Sequence, residues 1–165
     1  MRVELEPLYI LHRRPYRESS LLLDALSLQH GRVALVAKGA LSPRASLKAV
    51  LQPFTPLRAS WSGKGGLKSL LTAETVDVPF PLAHRALYSA LYLNELVLRL
   101  LPEREPVPEI FAHYAQTLHR LAGEASQEPA LRVFEDALLV ALGYGVHWGW
   151  CVDQDVAVRA GQMYA

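Results

Sequence analysis

The sequence predicts an α+β chain in which a small β barrel precedes a set of helices. Three observations carry that prediction. Short strand-like runs with turn punctuation fill the text up to about Val78, and helical spacing replaces them after "VPFPL". The sign of the charge changes at the same place.

The strands follow in order. Val3 to Leu11 is the first and "SSLLLDALS", from Ser19, the second. "LQHGR" turns the chain into a third at Arg32 to Ala37, whose alternation sends Val33, Leu35 and Ala37 one way and Arg32, Ala34, Val36 and Lys38 the other. Gln52 to Ser60 reads as a fourth, confined by Pro53 and Pro56 to an edge or a bulge. "SGKGG" makes a glycine-rich hairpin into a fifth, Leu67 to Val76. Five strands with a longer connection between the third and fourth suit a closed barrel of the OB type, a small open sheet being the alternative.

The helical half starts with "AHRALYSALYLNELVLRLL", Ala83 to Leu101. It is apolar on nearly all sides, the pattern of a helix buried within a bundle. Pro102 stops it, and "PEREPVP" is a proline-rich connection. Pro108 to Leu121 carries Ile110, Phe111, Tyr114, Leu118 and Leu121 at helical spacing. A third helix, "PALRVFEDALLVALG", has Pro129 near its start and Gly143 at its close. Beyond Gly145 the text turns aromatic and ends at Tyr164-Ala165 without a cap or polar tail, as though the natural chain continued. The division expected is a nucleic-acid-binding barrel over 1–79 and a helical domain over 80–165, incomplete at its C-terminal end.

Composition excludes several classes. At 165 residues, half of them apolar and with a mean hydropathy of +0.12, the chain can bury a core and is not a disordered one. No apolar run reaches the roughly 18–20 residues that span a bilayer. "MRVELEPLYI" lacks the layout of a signal peptide, and a lone Cys151 rules out an internal disulfide or a cysteine-only zinc site. A cytoplasmic location without membrane attachment is the expectation.

A net charge of +1 conceals two opposed halves. Residues 1–79 hold eleven cations and six acids, and the remainder six cations and ten acids. Nothing acidic stands between Asp24 and Glu74. Such asymmetry is the footprint of a polyanion-binding module joined to something with another task, although basic residues also keep a small β domain in solution.

Reactive constellations are scarce. "GKGG", Gly63 to Gly66, lacks P-loop spacing, and there is no Gly-x-Ser-x-Gly elbow. His113 and His119 lie on opposite faces of one helix, while Glu109 and His113 share a face without a third ligand. Glu135 and Asp136 diverge and make a poor acid–base pair. No nucleophile, base, metal site or cofactor site is nominated, and the expectation is a protein that is not an enzyme.

Against that background, "YILHRRPYRESSLLLDALSLQHGRVALVAKGA", Tyr9 to Ala40, resembles the N-terminal domain of the RecO family of bacterial recombination mediators and DNA-repair proteins. "LQPFTPL", "SWSGKGGLKSL", "LYLNELVLRLLP" and "RVFEDALLVALGYG" continue the resemblance in order to Gly145, and Gly31-Arg32 to Lys38-Gly39-Ala40 is its most specific piece. There are two departures. Many relatives follow the Lys-Gly element with consecutive arginines, where this chain has Leu41-Ser42-Pro43 before Arg44; some carry a cysteine zinc knob that Cys151 alone cannot make. The family also continues past residue 165.

The resemblance implies an OB-fold followed by a helical domain. It implies binding to single- and double-stranded DNA, annealing of complementary strands, and help in loading RecA onto DNA coated by single-strand-binding protein (SSB). Its implied partners are RecR and the acidic, Phe-ended SSB tail, and its implied place is the bacterial cytoplasm, associated with the nucleoid. An OB-fold RNA-binding or assembly adaptor is the alternative function, which a strand-annealing assay separates; a small hydrolase is a third, separable by turnover.

On this reading the cations Arg13, Arg14, Arg17, Arg32, Lys38, Arg44, Lys48, Lys64 and Lys68 are the candidate rim that meets phosphates. Tyr16, Phe54 and Trp61 are candidates for base stacking, or for barrel core. An acidic tail ending in Phe wants a greasy pocket with a cation at its mouth, for which Arg132, beside Phe134 and Leu138, and Arg120 are the candidates.

Overall fold

Strand β1 (Arg2–Tyr16) is long enough to pair with two neighbours because it bends. Its register slips between Val3 and Glu6 against β4 and between Ile10 and His12 against β2. Leu5 occupies the first irregularity with φ +49° and donates its N–H to Ser60 Oγ. The computed structural model describes residues 2–42, 46–123, 126–151 and 153–161.

Strands β2 (Ser20–Ser27), β3 (Gly31–Ala37), β4 (Leu57–Ser62) and β5 (Leu67–Thr75) complete a closed barrel in the order β1-β2-β3-β5-β4. The β3–β5 pairing is parallel and the others are antiparallel. This is the OB arrangement, with helix α1 (Leu47–Val50) in the long connection between β3 and β4. Alternation places Leu8, Ile10, Leu21, Leu23, Val33, Leu35 and Trp61 inside the barrel. The fourth strand starts later than the sequence predicts. Both prolines precede it, since neither can donate to a ladder; Pro53 makes an isolated bridge with Ile10, and Phe54, at φ +61°, turns away from the barrel interior.

Helices α2 (Arg85–Leu100), α3 (Pro108–Gly123) and α4 (Glu128–Ala141) pack on the outside of the barrel wall. Tyr9, Leu11 and Leu26, on the outer face of β1 and β2, join Phe54, Leu93, Val97, Tyr114, Phe134 and Leu138 in a second core. The sequence predicts α2 buried on nearly all sides, and the structure corrects this. Ala86, Ala90, Leu93, Asn94 and Val97 form one buried face, while Leu87, Tyr88 and Leu91 remain exposed. Gly143 adopts φ +82° just past α4, as a C-terminal stop requires. A two-stranded piece, β6 (Trp150–Cys151) with β7 (Val156–Ala157), follows. No helix among the described residues is long and apolar enough to cross a membrane.

Two polar devices join the halves. Asn94 is buried on α2; its Nδ2 donates to the Leu11 carbonyl at 2.8 Å, and its Oδ1 accepts from the Tyr114 hydroxyl. Burial pushes the Tyr114 phenol well above its usual 10.0, so it remains a donor. The second device is the connection after α2. Arg32 Nε donates to the Leu101 carbonyl at 2.8 Å, and the Arg104 N–H returns a bond to the Arg32 carbonyl at 2.9 Å. Gly31 allows this approach: at φ +62°, a Cβ on it would stand 2.0 Å from the Glu105 carbonyl oxygen.

Candidate nucleic-acid interface

The two ends of β3 are held differently, and that difference sorts the cations. At its start, Glu6 is buried and accepts from Ser27 Oγ at 2.8 Å and from the Gln29 N–H at 2.6 Å, locking the β2–β3 turn. At its far end, Lys38 leaves the strand into solvent, and the Leu41 N–H bonds the Ser19 carbonyl at 2.9 Å. That bond ties the loop after β3 to the β1–β2 turn, bringing Arg17 and Lys38 to the same mouth of the barrel. The parallel pairing of Leu35 with Lys68 and of Val36 with Ser69 adds the start of β5.

A groove of about 190 Å³ results, lined by Tyr16, Arg17, Val36, Lys38, Leu67, Lys68 and Ser69. Among the described residues its lining has three cations, no acid, and one half-buried aromatic ring. The Arg17 guanidinium lies 5.2 Å from the centre of the Tyr16 ring, a cation–π contact that holds both at the groove. Such a surface can neutralise a phosphate chain while offering a ring to a base.

The remaining predicted cations are placed otherwise. Arg14 is exposed on β1, opposite Leu22. Arg13 is half-buried and donates Nη1 to the carbonyls of Lys48 and Leu51, at 3.3 and 3.0 Å. It thereby fastens the end of α1 to the barrel, with the exposed Lys48 side chain beside it. Arg32 is turned toward the helices by its bond to Leu101 and lines a small crevice with Asp24 and Glu103, apart from the groove. Arg44 lies outside the described residues. Lys64, in the β4–β5 hairpin, borders a second hollow on the other side of Lys68.

Of the three stacking candidates only Tyr16 borders the groove. Trp61 is fully buried inside the barrel, its ring centre 5.5 Å from that of His30, and Phe54 is buried in the helical core. Neither ring can meet a base without unpacking.

The helical half carries a larger hollow, about 760 Å³, between α3, α4 and the segment beyond α4. Val107, Val133, Ala137, Val140 and Trp148 supply most of its apolar lining, and its polar groups are Glu109, His113, Arg132 and Asp136. Phe134 and Leu138 are not part of it: both are buried in the core beneath, because the face of α4 one residue away is the one left open. Arg120 is half-buried in the last turn of α3 and does not line it. Arg132 Nη2 donates to Glu135 Oε1 at 2.9 Å, and the same oxygen accepts from the Tyr92 hydroxyl at 2.8 Å. That hydrogen bond, then partial burial, raises the Tyr92 phenol above its usual value. Asp136 accepts from Trp148 Nε1, fixing the indole at the rim. Glu135 and Asp136 are thus both engaged and face different neighbours. No group of three His, Cys, Asp or Glu among the described residues is arranged to hold a metal.

Sequence reasoning missed Arg104 and His30, which border the hollow beyond Lys68. Arg104 sits among acids and prolines in "PEREPVP", and nothing in that text says it returns to the barrel.

Comparison with known proteins gives a consistent result. The family described as "Recombination protein O N terminal" matches residues 1–79, and "Recombination protein O C terminal" matches residues 83–163. A "DNA repair protein RecO" of Marinobacter nauticus is 48% identical over 165 residues, covering 98% of this chain and 67% of the relative. One from Aliivibrio salmonicida is 48% identical, covering 97% of this chain and 67% of the relative. Another, from Actinobacillus pleuropneumoniae serotype 5b, is 53% identical, covering 94% and 65%. The chain thus spans about two thirds of the length of these relatives.

Proposed function

The chain belongs to the RecO family, and from that premise we propose that its barrel binds single- and double-stranded DNA through the mouth lined by Arg17, Lys38 and Lys68. The observation that carries this reading is an acid-free basic groove around a half-buried tyrosine, at one end of an OB barrel. Side chains that meet phosphates by charge alone do not read sequence, so complementary strands can be brought together with their mutual repulsion reduced. Annealing is therefore the reaction the barrel promotes. It needs no nucleophile and no cofactor, and Arg14, Lys48 and Arg44 extend the field around the same barrel.

The helical half recruits protein. The apolar hollow beside Arg132 suits the acidic, Phe-ended tail of SSB, with the tail's Phe against Val133, Val140 and Trp148 and a carboxylate at the guanidinium. Held there, the mediator works on SSB-coated strands in the bacterial cytoplasm, in company with RecR, and assists RecA onto them. The division of labour is a barrel over 1–79 for DNA and helices over 80–165 for partners.

A titration of labelled single-stranded DNA at several salt concentrations tests the barrel. Replacing both Arg17 and Lys38 by Gln is expected to make the slope of log K against log salt shallower by about 1.4, at about 0.7 per phosphate lost. An affinity indifferent to salt removes the reading. Arg132→Ala is expected to weaken an SSB-tail peptide and spare naked DNA; unchanged peptide affinity takes Arg132 out of the site.

A further inference from the structure

On the side of Lys68 away from the groove lies a hollow of about 420 Å³, lined by His30, Gly63, Lys64, Gly65, Lys68 and Arg104. Among the described residues its lining holds three cations, a histidine and no acid. Two features set it apart from an ordinary basic surface.

The first is Lys68. Its residue is only 8% exposed, and its ammonium makes no hydrogen bond or ion pair with any described residue. The buried part is the stem: the ammonium opens onto the hollow, so its charge is presented there without a protein partner. The β4–β5 hairpin wraps its stem: Gly63, at φ +145°, has its Cβ position 3.5 Å from the Lys68 Cβ.

The second is Arg104, which arrives from the connection after α2. Its backbone is at φ +62°, a conformation that costs a non-glycine residue energy, and its N–H is fixed by the Arg32 carbonyl. One guanidinium nitrogen lies 2.7 Å from where a Cβ on Gly66 would stand, so the side chain rests against the hairpin. Arg104 pairs with no acid among the described residues, and its neighbour Glu103 faces the crevice of Asp24 and Arg32 instead. A residue of strained backbone thus brings an unpaired guanidinium to the same hollow as the unpaired Lys68 ammonium.

We infer that this hollow is a second phosphate subsite, in which Lys68, Lys64 and Arg104 receive a phosphodiester of the strand that leaves the Arg17–Lys38 groove. The inference rests on the barrel reading above and deepens it. Lys68 borders both hollows and is the hinge of the path, and Arg104 makes the helical half's connection part of the DNA site. A strand lying across both would therefore clamp the connection to the hairpin.

Salt-dependent titration of the full chain with oligothymidylate, comparing Arg104→Gln, Lys68→Met and Lys38→Gln, tests this. Arg104→Gln is expected to lower affinity about fivefold at 0.1 M salt and to reduce the slope by about 0.7, the loss of one phosphate. Its melting temperature should not change. Lys68→Met keeps the packed stem, so the DNA-free protein should melt at about the same temperature while affinity falls. Wild-type affinity and slope in Arg104→Gln, with Lys38→Gln weakened, overturn the second subsite and leave the groove standing. Wild-type behaviour in all three removes the barrel reading as well. If Arg104→Gln weakens an acidic peptide and spares DNA, the hollow takes a carboxylate and the inference fails. A lower melting temperature for Lys68→Met means that the ammonium is structurally engaged, which also overturns it.

Discussion

Inside the barrel, Trp61, Leu23, Leu35, Ile10 and Leu57 are drawn from β1 to β4, with Leu70 from β5, and pack without help from α2, α3 or α4. Across the wall, the helices complete their core with four side chains borrowed from the barrel half, Tyr9, Leu11, Leu26 and Phe54. Tyr9 is central there, its ring 5.3 Å from Phe111 and 5.1 Å from Tyr114. Burial, then the charge of Asp77, raises its phenol above the usual value. The barrel is built as a foundation and the helices as a structure resting on it. The same asymmetry governs charge. Arg13 and Arg32 spend their guanidinium groups on carbonyls that fasten α1 and the connection after α2, whereas Lys38, Lys64 and Lys68 have no protein partner among the described residues.

The largest blow to that contrast is Tyr9→Ala. Loss of a buried aromatic is expected to cost about 3–5 kcal/mol, and hydrogen exchange should show α2 and α3 losing protection before the interior of the barrel. Simultaneous loss in both would mean that the foundation is not independent.

Alkaline titration sharpens the contrast. A phenol whose pKa is raised by folding stabilises the fold fully below its unfolded value of about 10 and loses that contribution as pH rises through the folded value. Stability measured by urea should therefore fall above about pH 10, and Tyr114→Phe should make that fall shallower. At neutral pH the same variant should be weaker by about 1–2 kcal/mol, because Asn94 Oδ1 loses its donor. A fall just as steep without the Tyr114 phenol would move its origin away from the helical core.

The smallest effect compares neighbours. Arg13→Met should cost about 1 kcal/mol through the two carbonyls it releases, and Arg14→Met less than about 0.5 kcal/mol. Equal thermal stabilities for the two variants would erase the distinction between structural and free arginines.

Period and punctuation made much of the fold legible in the text. Val33, Leu35 and Ala37 face inward as alternation demands, and Pro108, Pro129 and Gly143 mark helix ends where their backbone chemistry places them. Position in space was harder to read. Prolines that looked like interruptions of the fourth strand precede it, and apolar residues of α2 that looked like core stand exposed. Arg14 and Lys38 differ from Arg32 in nothing the text displays, yet Arg32 is bonded to a helix end 69 residues away. Phe134 and Leu138 have the composition of a pocket and lie beneath it, since a shift of one residue on a helix moves a side chain by about 100°.

What the amino-acid order determined by itself is local: five strands, three long helices, an acid-free basic stretch between Asp24 and Glu74, and the family likeness those runs carry. Tertiary structure alone decided which cations remain free, which rings are buried, and that Arg104 returns from an acidic, proline-rich connection to the barrel hairpin. The physical reason is one of range. Backbone preferences and hydrophobic period act over a few residues, whereas a charge is spent or spared by whichever carbonyl or carboxylate the whole chain brings within about 3 Å of it.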